Sequence, residues 1–155
     1  MAKDINQAVR EVCLSFPAAE EFVSHGSPNF RVGKKGKIFA TYVVNHHGDG
    51  RIALWLNAPD GAQAHYTRAE PKHFFVPPYV GPRGWLGVNL DKGVSWKRVA
   101  ALVREAYEKV APPQLIQAIG KTIEIKPPKA TLSAAQIDPM QAPRAQRVLK
   151  ALRKK

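Results

Sequence analysis

The chain has little cysteine, no long apolar run and half as much acid as base. Its one cysteine in 155 residues, Cys13, excludes an internal disulfide and any cysteine-rich zinc site. No stretch approaches a membrane span, and the N-terminus MAKDINQAVREVC carries charges where a signal peptide needs an apolar core. These two absences predict a cytoplasmic protein in which Cys13 is a small buried hydrophobe. Acid is scarce: 12 Asp and Glu face 24 Lys and Arg, a formal net charge of +12. That imbalance favours polyanionic partners, nucleic acid ahead of an anionic membrane or an acidic protein. The hydrophobic fraction, 45%, is enough for one folded domain.

Signals for catalysis are also missing. His25 lies beside Ser24 and Ser27 without an acidic residue to orient it. His46 and His47 precede Asp49, but neighbouring side chains at a strand end point to opposite faces, so HHGDG reads as a polar turn rather than a metal site. His65 and His73 have no paired spacing, and Glu20–Glu21 and Glu105–Glu108 read as solvated charge. GPRGWLG lacks the helix and the Lys–Ser/Thr ending of a phosphate-binding loop. The expectation is a non-enzymatic chain with no metal and no cofactor.

Apolar spacing supplies the elements. DINQAVREVCLSF places Ile5, Ala8, Val9, Val12, Cys13 and Phe16 on one helical face, capped by Asp4 and ended by Pro17. SPNFRV (a strand that FVS upstream extends in one reading) and KIFATYVVN flank the turn GKKGK, and RIALWLN follows HHGDG. A short helix lies in PDGAQAHYTRAE, then strands HFFVP and GWLGVNL. Ser95 caps WKRVAALVREAYEKVAP, where Trp96, Val99, Ala100, Val103, Ala106, Tyr107 and Val110 share a stripe. The order α-βββ-α-ββ-α predicts an α+β fold: a mainly antiparallel sheet of about five strands with helices on one face.

A composition break divides residues 1–119 from 120–155, where nine basic side chains face Glu124 and Asp138. Within this extension, the spacing of residues 143–155 predicts a basic amphipathic helix, with an Ala145, Val148, Leu149, Leu152 stripe and Arg144, Arg147 and Lys150 on its other faces. Such a helix lies on nucleic acid or an anionic membrane, or packs its stripe on the domain.

The candidate contacts in the body are Lys34, Lys35 and Lys37 at a hairpin tip, followed by Arg51 and by Arg83 on the loop HFFVPPYVGPRGWLGVNL. A charged turn that discourages edge pairing is the competing reading of the lysines. Trp85 either stacks on a base or packs against Phe74 or Tyr79.

SHGSPNFRVGKKGKIFATYV, FFVPPYVGPRGWLGVNLD and the helix end AYEKVAP together resemble the MmcQ/YjbR family of small bacterial proteins over roughly residues 5–118. The resemblance implies a frataxin-like or secretion-chaperone-like α+β fold and DNA binding through a double wing of β-hairpins. It brings no catalytic residues and does not extend to the basic tail. The combined expectation is a DNA-binding module, contacting duplex phosphates with low specificity. A protein-interaction or adaptor domain is the alternative. A ligand-binding or enzymatic domain requires a deep pocket with convergent polar groups near His25 or His73.

Overall fold

The computed structural model describes residues 4–120. The predicted helix 143–155, with Arg144, Arg147 and Lys150, lies outside the described residues.

Helix α1 (Ile5–Leu14) begins with a capping box: Gln7 N–H donates to Asp4 Oδ1 (2.7 Å) and Asp4 N–H to Gln7 Oε1 (3.2 Å). Its face Ile5, Ala8, Val9, Val12 and Cys13 is buried, as the spacing predicts. Burial pushes the Cys13 thiol well above its ordinary pKa, which leaves it inert.

Six strands follow: β1 (Ala19–Ser24), β2 (Ser27–Val32), β3 (Ile38–Val44), β4 (Ile52–Leu56), β5 (Phe74–Phe75) and β6 (Leu86–Asn89). They form one antiparallel sheet in the order β1-β2-β3-β4-β6-β5. The extra strand relative to the expected five is β1, a full edge strand rather than an extension of β2. His25 (φ 53°) and Gly26 (φ 78°) form the two-residue turn between them, and positive φ at both positions matches the sheet twist. Helix α2 (Ala62–Ala69) links β4 to the two-residue β5, after which β6 returns between β4 and β5.

Helix α3 (Trp96–Val110) opens at Ser95, whose hydroxyl accepts from Arg98 N–H, and α4 (Pro113–Gln117) is a further short turn of helix. The buried faces of α1 and α3 join Phe30, Tyr42, Leu54, Leu86 and Val88 in the main core. A bulge opposite the Phe30–Arg31 step gives β3 an extra residue, so Phe39 and Ala40 both enter this core.

Glu70, just after α2, ties three elements together. Its carboxylate accepts Arg98 Nη1 (2.7 Å) and Nη2, and pairs with His73 Nδ1 (3.1 Å). The hydrogen bonds from Arg98 and then His73 lower its pKa from the usual 4.5 to about 2. Because the folded value is depressed, the stabilisation is complete above pH 4.5 and is lost as pH falls towards 2. Glu70→Gln is expected to lower the melting temperature at neutral pH, with the deficit shrinking across that acid window. A deficit of constant size in a pH series of melts counts against the pair.

Candidate nucleic-acid interface

The sheet's outer face, turned away from α1 and α3, carries a second and smaller cluster: Val43, Ala53, Trp55 and Trp85, with Ile38, Phe75 and Val80 packed beside it. Strand alternation explains it. Ile52, Leu54 and Leu56 point to the main core, so Ala53 and Trp55 point outward. Gly87, opposite Trp55, is required there: a Cβ would sit 2.5 Å from the Phe75 ring, which lies across it.

Over this face runs the loop 76–85. Gln63 of α2 fastens it, donating Nε2 to Gly81 O (2.8 Å) and Trp85 O (2.7 Å). Tyr79 is held at φ 65° and is 74% exposed. Its hydroxyl lies 3.3 Å from His47 Nε2. His46 turns inward beneath them, its ring edge-on to Trp55 at 5.1 Å. The HHGDG turn is therefore partly a wall: His46–Gly48 is a tight turn with His47 at φ 51°, and its first residue is buried.

The loop, the β1–β2 turn, the outer face and the C-terminal end of α3 (Lys109 and Val110) line a groove of about 1050 Å³. Thr41, Val43 and Trp55 floor it, Tyr79, Val80 and Arg83 wall it, and His25 stands on the opposite side. The register sets its length: Lys37 and Ile38 mark one end and His46 the other, at opposite ends of β3, roughly 20 Å apart at 3.3 Å per residue. Lys37, Arg83 and Lys109 contribute positive charge to the lining, which holds no Asp or Glu. Lys109 is partly committed, donating to Ala58 O (2.8 Å) and lying 3.9 Å from Asp60.

The expected contacts divide into three groups. Lys34, Lys35 and Lys37 are exposed on the β2–β3 turn, as the glycine spacing predicts. That turn is stiff: Gly36 N–H donates to Gly33 O (3.2 Å), and a Cβ at Gly36 would meet Val32 O at 1.6 Å. Arg83 is exposed on the groove wall and shares the lining with Lys37. Arg51 and Trp85 are placed differently. Arg51 donates Nη1 to Asn89 Oδ1 (2.9 Å) and lies over the Phe75 ring at 4.0 Å. Trp85 is buried in the outer cluster and meets the groove only at its floor. The groove itself escaped sequence reading, although His25, named as the place to look for a pocket, does line it. His73 instead pairs with Glu70 and lines no part of the groove.

No group of three or more His, Cys, Asp or Glu among the described residues is placed to hold a metal ion. No helix among them is long and apolar enough to cross a membrane.

No curated protein matches the sequence. Among solved structures the chain is similar to Deinococcus radiodurans protein DR2400, which carries the family-model domain DUF419. The TM-score is 0.59 at 20% identity, over 76% of this chain and 86% of that one. At that identity the likeness speaks for the fold alone. The YjbR family model matches residues 14–109, from the end of α1 almost to the end of α3, and the chain belongs to the YjbR family.

Proposed function

We propose that this chain is a non-enzymatic nucleic-acid-binding module that contacts duplex DNA phosphates with low sequence specificity. The observation that carries this reading is the placement of Lys34, Lys35 and Lys37 on one stiff, exposed turn, with Arg83 on the acid-free groove that Lys37 also lines. Ammonium and guanidinium groups give affinity for phosphates without reading bases, which accounts for the low specificity. The β2–β3 hairpin is then one wing of the double-wing arrangement that the family resemblance implies, and the loop 76–85 serves as the other. Arg51 plays a supporting part by bracing the outer face, and Trp85 by flooring it. Arg144, Arg147 and Lys150 add contacts from the tail.

An adaptor role is favoured by exposed apolar side chains, Val23 (70%) on the edge strand β1 and Leu14, Val76 and Tyr79 elsewhere. These side chains lie on separate elements, whereas three lysines of the basic rim share one turn.

The test is a fluorescence-anisotropy titration of duplex DNA at several salt concentrations. Four body contacts give a log–log slope of roughly −3.6, and each tail contact adds about −0.9. Comparing the full chain with one ending at residue 119 separates body from tail. Absence of binding at low salt, or affinity indifferent to salt, overturns the proposal.

A further inference from the structure

The hairpin lysines explain attraction to phosphate but leave the groove behind them without a role. Its lining joins cations, a complete lack of carboxylates, the exposed ring of Tyr79 and the residual edges of the otherwise buried Trp55 and Trp85. We propose that this groove holds an unpaired segment of nucleic acid, with a base against Tyr79 and phosphates towards Lys37 and Arg83. The inference rests on the nucleic-acid reading above and adds a preference for single strands over duplex.

Three features point to this occupant. Charge comes first, since an acid-free lining with Lys37, Arg83 and Lys109 complements a polyanion. Shape comes second. The floor is recessed between the loop 76–85 and the β1–β2 turn, so a duplex presents its phosphates to the rim but keeps its base faces stacked away from Trp55. An unpaired base offers both face and edge, and sheet surfaces bearing aromatic side chains bind single strands in this way. A groove roughly 20 Å long, the length of β3 at 3.3 Å per residue, takes a run of nucleotides rather than one.

Tyr79 supplies the third feature. A bulky residue at φ 65° is strained, and glycine is the residue that relieves such strain. Yet Tyr79 is kept there, 74% exposed, its hydroxyl beside His47 at the mouth of the groove. Ser24 and Asn57 add polar groups to the lining that suit the heteroatoms of base edges, although Asn57 Nδ2 already donates to Ile38 O (3.2 Å). An acidic peptide meets the charge but leaves the aromatic surface unmatched.

The experiment uses the full-length protein and a single-stranded oligothymidylate of about eight nucleotides, within the usual site size for such surfaces. The other arms are a duplex of equal length, a mononucleotide and an oligoglutamate. Tryptophan fluorescence is read alongside anisotropy, because Trp55 and Trp85 line the groove while Trp96 sits in the main core. The expected result is tighter binding of the single strand than of the duplex, with tryptophan quenching that persists at high salt. Tyr79→Gly is expected to weaken single-strand binding about tenfold, the lower part of the range for one lost base stack, while leaving duplex binding unchanged. Arg83→Ala, at an exposed position, is expected to weaken both. Melting curves check that each variant is folded.

Equal or tighter duplex binding, with no quenching and no effect of Tyr79→Gly, overturns the groove inference and leaves the phosphate-contacting function standing. Mononucleotide binding as tight as the oligonucleotide's, or equal competition by oligoglutamate, also overturns it, pointing to a small-molecule or peptide site. Failure of both nucleic acids to bind overturns both proposals together.

Discussion

Tyr107→Ala is expected to destabilise the protein by about 3–5 kcal/mol, a large part of the 5–15 kcal/mol that holds a domain of this kind together. Tyr107 is fully buried on α3, where three parts of the chain meet. Its ring stacks on Phe16, just after α1, at 4.9 Å and meets Phe39 of β3 edge-on at 5.5 Å. The hydroxyl donates to Pro17 O (2.6 Å). Truncation leaves a void at this junction that two aromatic rings and the β3 bulge cannot close without moving. Tyr107→Phe keeps the ring and removes one hydrogen bond, so about 1 kcal/mol is expected. Urea denaturation of the two variants separates the effects. If Phe costs as much as Ala, the bond to Pro17, not aromatic packing, holds the junction.

The contrast between α3 and β1 shows what one sequence makes legible. Helix α3 repeats an apolar residue every third or fourth position across fifteen residues and starts at a serine cap, so its limits and buried face were readable together. β1 has no such pattern. Its residues AEEFVS include two glutamates and an exposed valine, because an edge strand lies between a neighbour and solvent. Glu21 points to the helix side, where it binds Arg10 Nε at 3.0 Å, an arrangement invisible to apolar alternation. The signal for it is the two-residue turn His25–Gly26, where both residues take positive φ.

The groove was harder to read because no single element makes it. Thr41 and Val43 come from β3, Trp55 from β4, Arg83 from the loop, His25 from a turn. Only the strand order brings them together, and that order depends on the two-residue β5 yielding its place beside β4 to β6. Pairing over such distances leaves no local mark. β4 is buried along its whole length, so IALWL reads as a central strand without saying which face carries a site. The hairpin lysines were legible because glycines at positions 33 and 36 bracket Lys34 and Lys35 and immediately precede Lys37.

Replacing Lys34, Lys35 and Lys37 together with alanine is expected to reduce duplex affinity several hundred-fold near 0.1 M salt. Each phosphate neutralised contributes about −0.9 to the log–log salt slope, so three lost contacts flatten it by about 2.7. Taken from a 1 M reference to about 0.1 M, that difference is a factor of about 10^2.7 when counterion release carries the whole effect. All three side chains are exposed on a turn whose shape depends on Gly33 and Gly36, so the fold is expected to remain. Two results can be told apart. If affinity falls while the slope keeps its value, the lysines act through the shape of the turn and the phosphates are held elsewhere. If neither changes, the charge on this hairpin serves only to keep it solvated, and the basic tail or Arg83 carries the affinity. Charge-retaining Lys→Arg exchanges at the same positions should preserve both affinity and slope, because phosphate attraction here needs a cation at the tip rather than a particular hydrogen-bonding fork.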